Sequence, residues 1–219
     1  MSCLLEFFWN KPKAKVFYIE GNEGVGKTET MYEIAEFLRE RGVTVSCLPQ
    51  HVEQWVTKGY MEAMQTDKGA QHFAAFATLQ DYAVRESFIA THNTLYDVIL
   101  VERHASTTLD VFDKSMEVHN LFAAVNSISD FLHNPSRTIY LKNTPAVCYT
   151  RTQRRARSTD MAFDEETFIE MNKAHEDMIT KRKALGGEIL ESDALGADSH
   201  HHLIKSIATS MGYHLTVPV

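Results

Sequence analysis

The chain has 219 residues, of which 44% are hydrophobic and 23% charged, enough apolar material for a sizeable single core and too much for a disordered chain. Three scattered cysteines (Cys3, Cys47, Cys148) without CxxC spacing exclude a disulfide scaffold and read as reduced thiols of an intracellular, cytoplasmic protein. With Lys+Arg at 22 against Asp+Glu at 29, the formal net charge of −7 disfavours a broad nucleic-acid footprint and leaves room for a small basic site.

Residues 3–9 (CLLEFFW) are apolar but are interrupted by Glu6 and fall short of the roughly 18 apolar residues of a spanning helix. Residues 1–14 read as an N-terminal extension, and no membrane partner is expected. Residues 15–20 (KVFYIE) are dense in aromatic and β-branched side chains and fit a buried strand. They run into Gly21-Asn22-Glu23-Gly24-Val25-Gly26, then Lys27-Thr28. Met31, Ile34, Ala35 and Leu38 recur at helical spacing, and Gly42 stops that helix. Residues 43–48 are a second strand ended by Pro49, which completes a βαβ unit and implies a parallel sheet. From 52 to 93 the composition is helical, with Phe73, Phe76, Ala77 and 79–83 on an inner face. Residues 98–101 (VILV) form a strand buried on both faces, 109–132 a helix, and 138–141 (TIYL) a further strand. Helices at 146–157 and 165–184 flank a polar hinge at 158–160. A last strand at 187–190, a closing helix at 200–211 and an extended tail follow. No repeat or composition break appears. The expectation is one α/β domain over 1–219, a three-layer sandwich of about five parallel strands with helices on both faces.

Gly21-x4-Gly26-Lys27-Thr28 satisfies G-x-x-x-x-G-K-[ST] and lies between a predicted strand and a predicted helix. Glycines let successive backbone N–H groups converge on phosphate oxygens, and the following helix points its positive end at the same anion. Residues Gly21, Asn22, Glu23, Gly24, Val25, Gly26, Lys27 and Thr28 are therefore the candidate ATP-binding loop. Lys27 supplies charge for the outer phosphates and Thr28 a hydroxyl for Mg²⁺.

A second metal ligand is expected at the end of a buried strand, where Glu102 follows VILV and Arg103 comes next. Arg151, Arg154, Arg155 and Arg157 crowd an otherwise acidic chain after the fourth strand, and on a helix 151 and 155 share a face. Followed by a polar hinge, they read as an arginine-rich lid at about 151–162 that clamps phosphoryl oxygens.

Together IEGNEGVGKT (19–28), VERH (101–104), YLKNTPAVCYTRTQRRAR (140–157) and MNKAHEDM (171–178) resemble the deoxyribonucleoside kinases, a P-loop kinase family that includes cellular enzymes and the herpesvirus-type thymidine kinases. The resemblance extends from about residue 15 to 190. It implies an ATP- and Mg²⁺-dependent transfer of phosphate to the 5′-hydroxyl of a deoxynucleoside, with a homodimer as the expected assembly. Carried over by position, Glu102 would serve Mg²⁺, Arg103 would hold the 5′ oxygen, and Arg151, Arg155 and Arg157 would close over the ATP phosphates. Gln80 would pair with the base edge, Phe112 would stack on the base, Trp55 would form a pocket wall, and Thr108 would leave room for a pyrimidine substituent. Asp160 stands where the family has a glutamate on the sugar 3′-hydroxyl, and Tyr60 is the candidate for the accompanying tyrosine.

One departure matters. After the second strand the family has Glu-Pro-Val-x-x-Trp, whose glutamate takes the 5′-hydroxyl proton; here the segment is Gln50-His51-Val52-Glu53-Gln54-Trp55. An amide accepts no proton at neutral pH, and loss of a positioned base costs roughly 10²–10⁴-fold. Three accounts stand side by side: His51 or Glu53 takes over, the substrate is a monophosphate that needs no base, or the chain binds nucleotide with feeble catalysis. The nucleoside kinase leads. The histidine run 200–202 reads as a polar surface, because consecutive helical residues diverge by about 100°. His175-Glu176 lacks the second helical histidine of a zinc site.

Overall fold

The computed structural model describes residues 13–50, 70–107, 111, 137–155, 164–193 and 197–210. Its centre is a five-stranded parallel sheet of order β2-β3-β1-β4-β5. The strands are β1 (Lys15–Glu20), β2 (Val45–Leu48), β3 (Val98–Glu102), β4 (Arg137–Lys142) and β5 (Glu188–Asp193). The helices are α1 (Lys27–Arg39), α2 (Ala70–His92), α3 (Pro145–Arg155), α4 (Glu165–Ala184) and α5 (Ala197–Ser210). A helical turn, Ala105–Thr107, follows β3.

Period-two alternation in the central strands sorts their side chains to two cores. Phe17 and Ile19 pack with Val98, Leu100, Ile139 and Leu141 against α1 (Met31, Ile34, Leu38) and α5 (Leu203, Ile207). Tyr18, Ile99 and Val101 face the other way, onto Ile89 of α2. Tyr140 packs on Met178 and Ile179 of α4. The three layers expected from the sequence are therefore present. Among the described helices none is long and apolar enough to cross a membrane.

Some boundaries differ from expectation. β2 starts at Val45 rather than Val43, because Val43 is hydrogen-bonded back to the end of α1. Gly42 (φ +78°) donates to the Arg39 carbonyl at 3.0 Å and Val43 to the Leu38 carbonyl at 3.1 Å. That paired hydrogen bond closes the helix, and the buried Val43 and Leu38 pack in the same core. β5 runs on to Asp193 past the apolar 187–190 segment, since its polar end still pairs with β4, Leu141 with Ser192 and Lys142 with Asp193. The 52–69 segment and all of the expected helix at 109–132 except residue 111 lie outside the described residues.

With β1 central, flanked by β3 and β4, the loop that follows it opens at the middle of the sheet's C-terminal edge. Ligands of open parallel sheets bind in that crevice.

Candidate active site

The phosphate loop is held open by close packing and by positive φ angles. Gly21, Gly24 and Gly26 have φ of +142°, +72° and +102°. A β-carbon on Gly24 would stand 2.5 Å from the carbonyl oxygen of Cys148 and 2.5 Å from Thr152 Oγ1, so α3 lies directly against the loop. Buried Asn22 ties it to α4 by donating to the Phe168 carbonyl at 3.0 Å. Gly26 occupies the cap position of α1 without a side chain, which leaves the first-turn N–H groups to an anion.

Two acids organise the mouth of the loop. Thr28 Oγ1 lies 3.0 and 3.1 Å from the two oxygens of Glu102, the last residue of β3. The main-chain N–H of Gln50 also donates to Glu102, at 3.4 Å, which draws the end of β2 to the same carboxylate. Glu23, within the loop, accepts from Arg103 Nη2 at 2.7 Å and stands 3.9 Å from Lys27 Nζ and 3.8 Å from Arg155 Nη2. Lys27 itself donates to the Asn22 carbonyl at 3.0 Å. Burial first, then the neighbouring Arg103 charge, pulls Lys27 below its ordinary value, with Glu23 and Glu102 opposing.

Arg103 is fully buried and has φ 63°, an uncommon conformation for a side chain of its size. Its N–H donates to the Ile19 carbonyl at 3.0 Å, and its guanidinium reaches the Gly21 carbonyl at 3.4 Å. This turn sends residue 102 to Thr28 and residue 103 to the loop and Glu23. Among the described residues no cluster of three or more His, Cys, Asp or Glu could hold a metal by itself. The Thr28–Glu102 pair suits a hard divalent cation that takes one or two protein oxygens and completes its shell with phosphate and water.

The sequence model of the deoxynucleoside kinase family matches residues 17–211. The chain belongs to that family. No curated protein matches it. Membership makes this deoxynucleoside kinase family protein a nucleotide-using phosphotransferase, and the resemblance of the four sequence segments is accounted for.

The expected site residues of the family protein divide into three groups. Residues 21–28, Glu102, Arg103 and Arg155 converge on one loop, with Gln50 beside Glu102. Arg151 and Arg154 are exposed on α3, toward whose end Arg155 lies. Gln80 is also exposed, and α2 turns Asp81, Tyr82, Arg85, Glu86 and Ile89 to its buried side instead. Five residues on a helix correspond to about 140° of rotation, so Gln80 does not share a face with Arg85. Trp55, Tyr60, Thr108, Phe112, Arg157 and Asp160 lie outside the described residues, as do His51 and Glu53. His202 is exposed on α5.

Sequence reasoning missed a buried polar layer under the loop of this kinase family protein. Arg85 donates to the main-chain carbonyls of Glu102 and Pro49, riveting the ends of β3 and β2. Glu20 Oε1 accepts from the His104 N–H (3.0 Å), Thr107 Oγ1 (2.6 Å) and Arg182 Nη1 (3.0 Å). Burial would raise Glu20, but the Arg182 charge and these hydrogen bonds hold it below the ordinary carboxylate value. His175 Nδ1 lies 2.8 Å from the Met171 carbonyl, and Nε2 has no hydrogen-bond partner among the described residues. A signal existed: Met171, Ala174, His175, Met178 and Arg182 recur at helical spacing, so His175 and Arg182 belong to an apolar stripe.

Proposed function

We propose that the protein transfers the γ-phosphate of ATP to the 5′-hydroxyl of a deoxynucleoside, with a pyrimidine such as thymidine as base. The observation that carries this reading is the meeting of Thr28 with both oxygens of Glu102 at the mouth of the phosphate loop, with Arg103 next in the chain and turned into the same site. Loop N–H groups and Lys27 would bind the phosphates, and Arg155, with Arg151 and Arg157, would close over them as a lid. Thr28 and Glu102 would hold Mg²⁺, which when bound neutralises charge on the phosphate oxygens. Arg103 would orient the 5′ oxygen. The pyrimidine preference rests on the resemblance at Gln80 and Thr108, with Trp55, Tyr60, Phe112 and Asp160 as the further candidates for the nucleoside pocket.

A second reading, phosphorylation of a deoxynucleoside monophosphate, is favoured by Gln50, since an anionic acceptor oxygen needs no base. ADP release measured with the four deoxynucleosides and their monophosphates separates the two. Acceleration by thymidine or deoxycytidine is the expected result. Acceleration by monophosphates alone would overturn it, and ATP binding without turnover of any acceptor would leave only a nucleotide-binding protein.

A further inference from the structure

We infer that Glu23 is the general base of the reaction, supplying from the phosphate loop the carboxylate that Gln50 lacks. This rests on the reading of the protein as a nucleoside kinase. Among the described residues, the carboxylates of Glu20, Glu102 and Glu23 stand at the edge of the sheet around the loop. Glu20 is fully buried and engaged by Arg182, Thr107 and the His104 N–H. Glu102 takes the Thr28 hydroxyl on both oxygens and is the metal candidate. Glu23 is the one of these that meets Arg103 directly, and its side chain is 19% exposed and so reachable by a substrate.

The contacts of Glu23 are unequal, and the inequality decides its role. Its separations from Lys27 and Arg155, 3.9 and 3.8 Å, are ion pairs beyond hydrogen-bond length, whereas the 2.7 Å contact with Arg103 is a charge-assisted hydrogen bond. Phosphates entering the loop draw away Lys27 and Arg155, the long pairs. The short bond keeps Glu23 on Arg103, which is itself fixed by burial and by the Ile19 and Gly21 carbonyls. A guanidinium presents its N–H donors in one rigid plane. An alcohol oxygen held by another donor of that fork lies within about 3–5 Å of the carboxylate, within reach directly or through one water.

The step then balances. The 5′-hydroxyl proton passes to a carboxylate oxygen of Glu23 as a lone pair of the 5′ oxygen forms the bond to the γ-phosphorus. The bond from that phosphorus to the β,γ-bridging oxygen breaks, its electron pair leaving with ADP, and Glu23 later returns the proton to water. A loose transition state leaves most of the catalysis to positioning and charge, so a carboxylate in this place is needed only late, as the proton departs.

The competing role for Glu23, an internal anion that merely fills the loop before ATP arrives, predicts the opposite sign. Steady-state kinetics of the wild type, Glu23→Gln, Glu23→Asp and the double variant Glu23→Gln/Gln50→Glu with the preferred nucleoside would be combined with calorimetric ATP binding and thermal melting. Glu23→Gln is expected to lower kcat by about 10²–10⁴-fold with ATP affinity unchanged or tighter. Glu23→Asp, which keeps the charge and withdraws it by one methylene, is expected to fall between. The double variant, with a carboxylate restored at residue 50, is expected to recover at least about tenfold over Glu23→Gln. A Glu23→Gln enzyme as fast as wild type or faster would overturn the assignment, and so would a double variant no better than the single one. A wild type that turns over no nucleoside sinks the kinase reading instead, which keeps the two failures apart.

Discussion

A β-carbon at residue 24 has nowhere to go. It would meet the Cys148 carbonyl oxygen and Thr152 Oγ1, each at 2.5 Å, at a residue whose φ is +72°. Gly42 has nearly the same φ, +78°, and nothing within 4 Å of such a carbon. Alanine at 42 should therefore cost only the left-handed penalty, about 1–2 kcal/mol. Alanine at 24 should cost about 1–3 kcal/mol more, since a backbone carbonyl cannot yield as a flexible side chain does. It should also weaken ATP binding by prising α3 from the loop. Urea unfolding and nucleotide titration of the two variants check this; equal stability and equal affinity would refute it. The loop's glycines were legible in the sequence because its spacing is a local signal. The environment of Glu23 was not. Its partners Arg103 and Arg155 come from distant turns of the chain, and the spacing rule leaves its position open to any residue.

At the scale of elements, strands that bury both faces announced themselves. Residues 15–20 and 98–101 were found in place because continuous apolar runs leave no other environment for them. β5 announced only its apolar start, since backbone pairing with β4 imposes no hydropathy on Glu191, Ser192 and Asp193. Helix α4 shows the opposite case, a charge hidden in an apolar stripe. Arg182, 7% exposed, joins α4 to β1 through Glu20, to β4 through Thr138 and to the Ala105–Thr107 turn through Thr107. Removing one partner of a buried pair strands the other charge. Arg182→Met is expected to lose about 3–5 kcal/mol near neutral pH. Adding Glu20→Gln should recover part of that loss by removing the stranded charge. Chemical denaturation of the single and double variants measures this coupling, and strictly additive losses would mean the two side chains act independently.

For the molecule as a whole, the buried layer beneath the loop makes stability depend on acid. His175 is fully buried; burial, and next the Arg103 charge, push it down to about 3 from an ordinary 6.5. The unfolded chain therefore binds a proton between those values and the folded chain does not. Stability contributed by a neutral His175 is complete above about pH 6.5 and is lost as pH falls toward 3, at about 1.4 kcal/mol per pH unit. Glu20 acts lower down. Its folded value is depressed by Arg182 and its hydrogen bonds, so its contribution is present above the unfolded carboxylate value of about 4.3 and fades below it. Unfolding free energy measured from pH 8 to pH 4 should thus begin to fall near 6.5 and steepen below about 4.3. His175→Gln should cost stability at pH 7 yet flatten the upper part of the curve. Arg182→Met should flatten the lower slope, because its Glu20 is no longer held below the ordinary value. An upper slope unchanged in His175→Gln would show that another group titrates there. Since Arg103 is the neighbour that helps keep His175 neutral, a proton forced onto that ring places a third positive charge beside Arg103 and Lys27. Loss of activity in acid should then run parallel to loss of folding, rather than precede it.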